Sequence, residues 1–297
     1  MSTPKMTLHT WALIVVLATI WGSSFLFARI AVLEVPPLTL VFLRVALAAL
    51  VLNLFLALRS NGFAHTRSVW RDFAIMGVIN NIIPFGLIFY GQLEIGAGLA
   101  AIINAMTPIW TVVIANFGTS DEKFSTNKII GVVLGFIGVA ILIGASLQDG
   151  WQGSTIGQLA VFGATISYGF AGVFGRRFSS VPPVETARGQ LTMSSVLIAP
   201  LVLAFDQPWQ LTMPSQTTVW CIVLLAVLCT ALAYLLFFQI LAKAGAVNVS
   251  LVTFLVPPSA IILGIMVLDE RLELHHMIGM GIIMAGLIVI DGRLLKR

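Results

Sequence analysis

Long apolar segments alternate with short polar breaks along the whole chain. Charged residues, prolines and glycine-rich turns separate ten segments, each apolar around most of its circumference, unlike the one-sided stripe of a surface helix. A helix needs about 20 apolar residues to cross the hydrocarbon core of a bilayer. The pattern therefore predicts ten membrane-spanning helices, near residues 8–32, 37–59, 71–92, 96–117, 127–147, 154–177, 184–205, 216–240, 247–268 and 274–294.

The composition supports an all-α membrane protein. Of the 297 residues, 59% are hydrophobic and 9% are charged, and the mean hydropathy is +1.02. A soluble domain is about a quarter charged, and a disordered chain has low hydrophobicity, so neither class fits. A transmembrane β-barrel does not fit either, because its strands alternate in polarity whereas these segments are continuous apolar runs.

The basic residues predict the orientation of the helices. Thirteen of the sixteen lysines and arginines lie on the side of the N-terminus, and the exceptions are Arg29, Arg44 and Arg271. Cytoplasmic loops of membrane proteins carry an excess of Lys and Arg. We therefore expect both termini to be cytoplasmic, and the net charge of +4 reflects topology rather than a nucleic-acid partner.

The two halves of the sequence repeat each other at an offset of about 146 to 149 residues. Each half, 1–148 and 149–297, holds five predicted helices, and an odd number forces the second half into the opposite orientation. Such inverted repeats are typical of transporters. The matched pairs are Trp21-Gly22 with Tyr168-Gly169, Val35-Pro36-Pro37 with Val181-Pro182-Pro183, Gly96-Ala97 with Gly245-Ala246, Pro108 with Pro257, and Asp121-Glu122 with Asp269-Glu270.

These motifs resemble the EamA repeat of the drug/metabolite transporter superfamily, and among its members the YddG-type amino-acid exporters. The resemblance covers nearly the whole chain and includes Trp21-Gly22-Ser23-Ser24-Phe25 and Phe42-Leu43-Arg44. It implies a multi-pass protein of the bacterial inner membrane that exports amino acids, aromatic and other neutral ones included, and similar small metabolites. Alternating access, broad specificity and no cofactor are implied as well.

Titratable side chains are rare at membrane depth. All twelve acidic residues and all four histidines lie at or near the ends of predicted spans. Proton relays and cationic-drug sites usually place such groups inside the membrane, so we expect a facilitator without strong proton coupling. The expected substrate is a small solute with little net charge or a zwitterion. No zinc-protease motif or activated serine points to an enzyme, and we expect no metal.

Uncharged polar and aromatic residues do occur at depth, and several recur in both halves. Asn104 pairs with Thr253, Asn81 with Thr230, and Tyr90 with Gln239 at the repeat offset. One cavity lined from both halves explains the recurrence, although such residues also link helices by hydrogen bonds. The predicted substrate-binding residues are Trp21, Ser23, Asn81, Tyr90, Asn104, Trp110, Tyr168, Thr230, Gln239, Ser250 and Thr253, from helices 1, 3, 4, 6, 8 and 9.

Arg44 is the exception to an uncharged interior. It lies seven residues beyond Pro37, about 10 Å below the outer surface. Its side chain either extends to the outer headgroups or meets a substrate carboxylate at the mouth of the pathway. Gly22 and Gly169, with Pro108 and Pro257, are the candidate gating positions.

Glycines in the fifth and tenth helices predict close helix packing, within a monomer rather than across a homodimer. They are Gly131, Gly135, Gly138, Gly279 and Gly286.

Three other functions stay open at this point: a multidrug or nucleobase exporter of the same fold, a channel, and a structural or sensory membrane protein.

Overall fold

The computed structural model describes residues 7–58, 65–120, 123–148, 153–237, 239–240 and 251–292, and this part of the chain is helical without a β-strand. The ten helices are α1 Leu8–Val32, α2 Pro37–Ala57, α3 Arg67–Gly91, α4 Ala97–Gly118, α5 Thr126–Gln148, α6 Gly153–Phe174, α7 Pro183–Leu201, α8 Gln216–Phe237, α9 Val252–Leu268 and α10 Leu274–Asp291. Short segments Gly175–Phe178 and Val202–Asp206 extend α6 and α7.

The prediction of ten membrane helices is confirmed. Among the described residues, nine helices are long and apolar enough to cross a membrane, and the described part of α9 is a shorter apolar helix. The predicted start of the ninth span and the final residues of the second and tenth spans lie outside the described residues. The end of the bundle where α1 begins is called the N-terminal face below, and the other end is called the opposite face.

Contacts between helices occur in equivalent pairs. In the second contact of each pair, every helix is replaced by its counterpart from the other half of the chain. Helix α1 packs on α9, and its counterpart α6 packs on α4; α3 packs on α6, and its counterpart α8 packs on α1. Helix α2 contacts α7, and α5 contacts α10. The apolar core extends through these contacts and includes Ile14, Leu40, Phe89, Ile103 and Leu191, none of which is exposed.

The predicted close packing at glycines of α5 and α10 is confirmed, and it occurs between these two helices of one chain, the glycine seam. A Cβ atom on Gly131 would lie 2.5 Å from the carbonyl oxygen of Gly286, and one on Gly138 would lie 2.8 Å from that of Gly279. Only glycine permits backbones to approach so closely. The two helices therefore pack directly on each other.

Two helices widen into π-helical turns at equivalent positions. Val78–Ile82 in α3 and Val227–Leu232 in α8 begin 149 residues apart, and both turns lie well inside their helices. In α3 the cause is Pro84, which has no N–H to donate to the carbonyl of Asn80. In α8 the hydroxyl of Thr230 donates to the carbonyl of Leu225 at 2.7 Å. Such turns often occur at functional sites.

Helix α4 is interrupted in its middle. Its regular structure stops at Asn104 and resumes at Thr107, with Ala105 and Met106 in a turn. Pro108 follows and cannot donate to the carbonyl of Asn104, which accounts for the break.

Candidate functional site

Arg44 lies buried between three helices. It is the eighth residue of α2 and only 7% exposed. Its Nε donates to the hydroxyl of Thr230 on α8 at 3.0 Å, and its Cζ lies 3.8 Å from the ring centroid of Phe85 on α3. An arginine on an aromatic face is attracted by the negative face of the ring. The guanidinium is therefore held by a hydroxyl and a π-face.

The side chain of Arg44 does not extend to the outer headgroups. Thr230 lies fourteen residues from the start of α8 at Gln216, about 20 Å below the opposite face. The side chain thus extends towards the middle of the bundle instead of towards the headgroups.

No carboxylate among the described residues forms an ion pair with Arg44. The ion pairs that the described residues form involve Asp72, Glu185 and Glu273, which lie near helix ends at the N-terminal and opposite faces. An unpaired charge at membrane depth is costly and is usually functional. The guanidinium of Arg44 therefore has no counter-ion among the described residues, and an anionic group bound next to it would neutralise its charge.

A second polar cluster surrounds Gln190 of α7, which is 3% exposed. Nδ2 of Asn80 donates to Oε1 of Gln190 at 3.0 Å and to the hydroxyl of Tyr234 at 3.3 Å. Next to it, Nδ2 of Asn81 donates to the hydroxyl of Ser194 at 2.9 Å. This cluster joins the π-helical turn of α3 to α7 and α8, and it contains no charged group.

The two clusters are counterparts in the two halves. Arg44 and Gln190 are each the eighth residue of a helix that begins at the second proline of a Val-Pro-Pro motif. Phe85 corresponds to Tyr234 at an offset of 149 residues, and Asn81 corresponds to Thr230 at the same offset. We call Arg44, Phe85 and Thr230 the Arg44 half-site, and Gln190, Tyr234, Asn80 and Asn81 the Gln190 half-site.

Tyr168 connects these half-sites. Its ring centroid lies 6.5 Å from that of Phe85, and both Tyr168 and Tyr234 are close enough to Arg44 to interact with it electrostatically. On α1, the ring of Trp21 lies 5.7 Å from that of Phe237. Trp21 and Tyr168 are partly buried, as is Tyr234. The rings nearest to the guanidinium belong to α3, with the centroid of Phe85 at 3.8 Å and that of Phe89 at 5.9 Å from Cζ of Arg44.

Three of the predicted binding residues make hydrogen bonds that also tie the protein together. Ser23 donates to the carbonyl of Ile20 at 2.8 Å, and its hydroxyl lies 3.7 Å from the sulfur of Cys229. Asn81 of α3 donates a hydrogen bond to Ser194 of α7, and Thr230 of α8 accepts one from Arg44 of α2. All three are buried, at 9%, 0% and 2% exposure, so helix linking is at least part of their role.

The break in α4 leaves buried polar atoms without partners among the described residues. Oδ1 of Asn104, Oγ1 of Thr107 and Nε1 of Trp110 are buried and accept or donate no hydrogen bond there. Their spacing of three places them along one side of the helix. The Trp110 ring packs against Phe136 of α5 and Phe162 of α6 at 5.3 and 5.8 Å. That ring thus packs against both α5 and α6.

Two of the remaining predicted residues are exposed. Tyr90 is 49% exposed at the end of α3, and Gln239, which follows α8, is exposed as well. Ser250 lies outside the described residues. Thr253 is partly buried in the first turn of α9.

The predicted gating positions are close helix contacts. A Cβ on Gly22 would lie 2.7 Å from that of Ser259 in α9, and a Cβ on Gly169 would lie 2.8 Å from that of Trp110 in α4. Ser259 and Trp110 correspond at the offset of 149 residues, so the two contacts are equivalent. Pro108 and Pro257 lie in the helices that these glycines contact.

Sequence reasoning missed Phe85, Gln190 and Tyr234, and left Asn80 out of the site. The repeat alignment carried a usable signal, because it sets Gln190 against Arg44 and Tyr234 against Phe85. Uncharged polar and aromatic residues are common in membrane helices, however. Only the packing of α7 on α3 shows that Gln190 comes into contact with Asn80.

At the opposite face, carboxylates accept hydrogen bonds from N–H groups at helix N-termini. Glu270 accepts from the N–H groups of Ala97 and Gly98 at 2.6 and 3.0 Å, and Asp206 accepts from the N–H of Thr39 at 2.7 Å. Glu34 accepts from the N–H of Ser215 at 2.6 Å, and this bond lowers the pKa of the Glu34 carboxyl. Each contact joins a residue of the first half of the chain to one of the second half.

The N-terminal face is more open between α4 and α6. A groove of about 550 Å³ lies there, and none of the predicted binding residues lines it. It is lined by Ile114, Gly118, Thr119, Ser120, Phe170, Val173, Phe174, Arg176 and Arg177.

Comparisons with known proteins agree with this architecture. The model of the EamA-like transporter family matches residues 9–144 and again residues 155–291. The uncharacterized transporter YvbV of Bacillus subtilis is 27% identical over 95% of this chain and 92% of its own length. A protein of Escherichia coli K12 named as a probable amino-acid metabolite efflux pump is 25% identical over 94% of this chain and 92% of its own.

Other relatives and one solved structure extend the comparison. The uncharacterized inner membrane transporter YedA of Escherichia coli K12 is 23% identical, covering 91% of this chain and 87% of its own length. A crystal structure superposes with a TM-score of 0.66 at 19% identity, over 97% of this chain and 98% of its own. At that identity the superposition shows a shared fold.

Proposed function

Because the chain belongs to the EamA-like transporter family, we propose that it carries small solutes with a carboxylate, amino acids among them, across the inner membrane. The path runs between the Arg44 half-site and the Gln190 half-site. The substrate carboxylate binds the guanidinium of Arg44, and its side chain lies against the surrounding aromatic rings.

The buried, unpaired guanidinium of Arg44 carries this proposal. It is 7% exposed, directed into the bundle, and held by one hydroxyl and one aromatic ring. A carboxylate accepts hydrogen bonds from a guanidinium in a bidentate arrangement, and such a pair is strong where water is excluded. Binding of an anionic group therefore stabilises the site. A purely structural role for Arg44 is the competing explanation.

Amino acids are the substrate class that the site favours. Phe85, Tyr168, Trp21 and Phe237 offer apolar and aromatic surface, and faces of aromatic rings also attract an ammonium group. A pocket of this kind discriminates weakly between apolar side chains, so specificity is broad. The name of the Escherichia coli efflux pump among the relatives supports the same class and an outward direction.

Alternating access is the mechanism that the symmetry of contacts supports. We propose halves 1–148 and 149–297 that rock against each other. The equivalent Gly22–Ser259 and Gly169–Trp110 contacts, with Pro108 and Pro257 in the contacted helices, are the places where this motion bends or slides helices. The capped opposite face is then the closed gate of the state described here.

The proposal also covers the orientation of the protein in the membrane, its oligomeric state and its coupling to protons. The distribution of basic residues supports a cytoplasmic N-terminal face, and the name of the inner membrane transporter YedA supports the inner membrane. The transporter acts as a monomer, because the glycine seam is used within the chain. Transport follows the solute gradient without strong coupling to protons, since the described acidic residues lie at helix ends.

Counter-flow in liposomes tests this function. The purified protein is reconstituted, loaded with one unlabelled solute, and presented with trace labelled amino acids, nucleobases or lipophilic cations. We expect saturable exchange of amino acids, reduced in Trp21→Ala and Asn104→Ala. Exchange of nucleobases or lipophilic cations alone would support the alternative exporters, and non-saturable flux would support a channel. Accumulation that requires an imposed pH gradient would contradict weak coupling.

A further inference from the structure

We infer that Gln190 limits the substrate to one carboxylate, because it places a neutral amide at the position where the other half carries Arg44. This inference rests on the proposed function and specifies its substrate class. The site then accepts zwitterionic and monocarboxylate solutes and rejects dicarboxylates.

The two positions are structurally equivalent. Arg44 and Gln190 occupy the eighth position of α2 and α7, which both begin at the second proline of a Val-Pro-Pro motif. Both residues are buried, at 7% and 3% exposure. Each reaches the π-helical turn of a helix from the other half: Arg44 contacts that of α8, and Gln190 contacts that of α3.

The two half-sites differ in charge and in the groups that surround Arg44 and Gln190. The Arg44 half-site offers a guanidinium, a hydroxyl and the face of Phe85. The Gln190 half-site offers amides from Gln190 and Asn80 and the hydroxyl of Tyr234. Amides and hydroxyls form hydrogen bonds with a polar substrate group, but they do not neutralise its charge.

Among the described residues, the charge available at the centre is therefore that of one guanidinium. The titratable groups of this part of the chain that interact with Arg44 are Tyr168, Tyr234 and Cys229, which are neutral at physiological pH. One substrate carboxylate pairs with Arg44. A second carboxylate would be buried without a counter-ion, which is strongly unfavourable in a medium of low dielectric constant. The number of arginines at positions 44 and 190 thus sets the number of carboxylates.

Substitutions at positions 44 and 190 test the inference. Counter-flow is measured for an apolar amino acid and for dicarboxylates of four to six carbons, in the native protein, in Gln190→Arg and in Arg44→Gln/Gln190→Arg. We expect Gln190→Arg to raise the ratio of dicarboxylate to amino-acid transport at least about tenfold. The double variant, with one cation at the other half-site, is expected to return to a preference for one carboxylate.

A charge added elsewhere is the matched control. Gln216 is exposed at the start of α8, and Gln216→Arg adds the same charge outside the centre. Its transport ratio is expected to equal that of the native protein. If Gln216→Arg shifted the ratio as much as Gln190→Arg does, a general charge effect would replace our inference.

A second variant covers the risk that Gln190→Arg does not fold. Gln190→Glu is nearly isosteric and places an anion in the other half-site, where it repels a substrate carboxylate, so we expect transport of monocarboxylates to fall at least about tenfold. In detergent, the melting temperature of Gln190→Arg is expected to rise more with a dicarboxylate than with an amino acid. Unchanged charge selectivity in both variants, in a protein whose native form exchanges amino acids, would overturn this inference alone. No exchange of any carboxylate by the native protein would overturn the proposed function.

Discussion

Arg44 of α2 and Thr230 of α8 are 186 residues apart in the chain and joined by a hydrogen bond of 3.0 Å from Nε to Oγ1. The bond connects the first half of the chain to the π-helical turn of the second half. Thr230 also donates to the carbonyl of Leu225, so its hydroxyl satisfies both a backbone acceptor and the guanidinium. It therefore fixes the orientation in which Arg44 presents its remaining N–H groups.

Replacing this hydroxyl should weaken both stability and transport. Thr230→Val keeps the shape of the side chain and leaves a buried guanidinium N–H without an acceptor, which costs about 1–3 kcal/mol. We expect a lower melting temperature and a higher KM for amino-acid counter-flow. Thr230→Ser keeps the hydroxyl and serves as the control. Equal loss in both variants would show that side-chain packing, and not the hydrogen bond, matters at this position.

Glu270 should hold the opposite face closed. Its carboxylate caps two N–H groups at the start of α4, and loss of a helix cap costs about 0.5–2 kcal/mol. In Glu270→Gln we expect faster hydrogen exchange at Ala97 and Gly98 and a lower melting temperature. Glu94→Gln, at an exposed position on the same face, is the control. Unchanged exchange at Ala97 and Gly98 would contradict the capping role.

The glycine seam should tolerate no side chain. In Gly131→Val the new Cβ would lie 2.5 Å from the carbonyl oxygen of Gly286, and such overpacking costs about 1–3 kcal/mol or more. We expect low yield of folded protein and a lower melting temperature. Gly281→Ala, in the same pair of helices but with open space around it, should behave as the native protein does. A normal melting temperature for Gly131→Val would show that α5 and α10 do not pack as described.

Acid should weaken the contact between Glu34 and α8. Hydrogen bonds from the N–H and hydroxyl of Ser215 lower the pKa of Glu34 below its ordinary value of 4.5. A lowered pKa in the folded state stabilises the protein above pH 4.5, and this contribution disappears as the pH falls through the lowered pKa. Melting temperatures of the native protein and Glu34→Gln should differ at pH 7 and converge towards pH 3. A difference that is constant with pH would contradict this assignment.

The fold could be predicted from the sequence because the bilayer dictates the length of each helix. Ten apolar segments of about 20 residues leave few alternatives, and the structure places the first helix at Leu8–Val32, as predicted. The seam of Gly131 and Gly286 was predictable for a similar reason, since small residues mark close packing in membrane helices. The π-helical turns were not foreseen as such, although Pro84 signals the one in α3.

The site was only partly predictable. Arg44 stands out because a cation inside a membrane segment is rare, and the structure brings it to Thr230, one of the predicted residues. Gln190 and Tyr234 carry no charge, and a single amide or phenol in a span is as often structural as functional. Their importance depends on the packing of α7 against the π-helical turn of α3, which no local sequence pattern encodes.

The most direct test of the central claim compares an amino acid with its own carboxamide in counter-flow. The pair differs in the carboxylate alone, so the ratio of their exchange rates reports the contact with the cation. The native protein is predicted to prefer the carboxylate by at least about tenfold, Arg44→Lys by less, and Arg44→Gln not at all. An undiminished preference in Arg44→Gln would show that Arg44 does not bind the substrate.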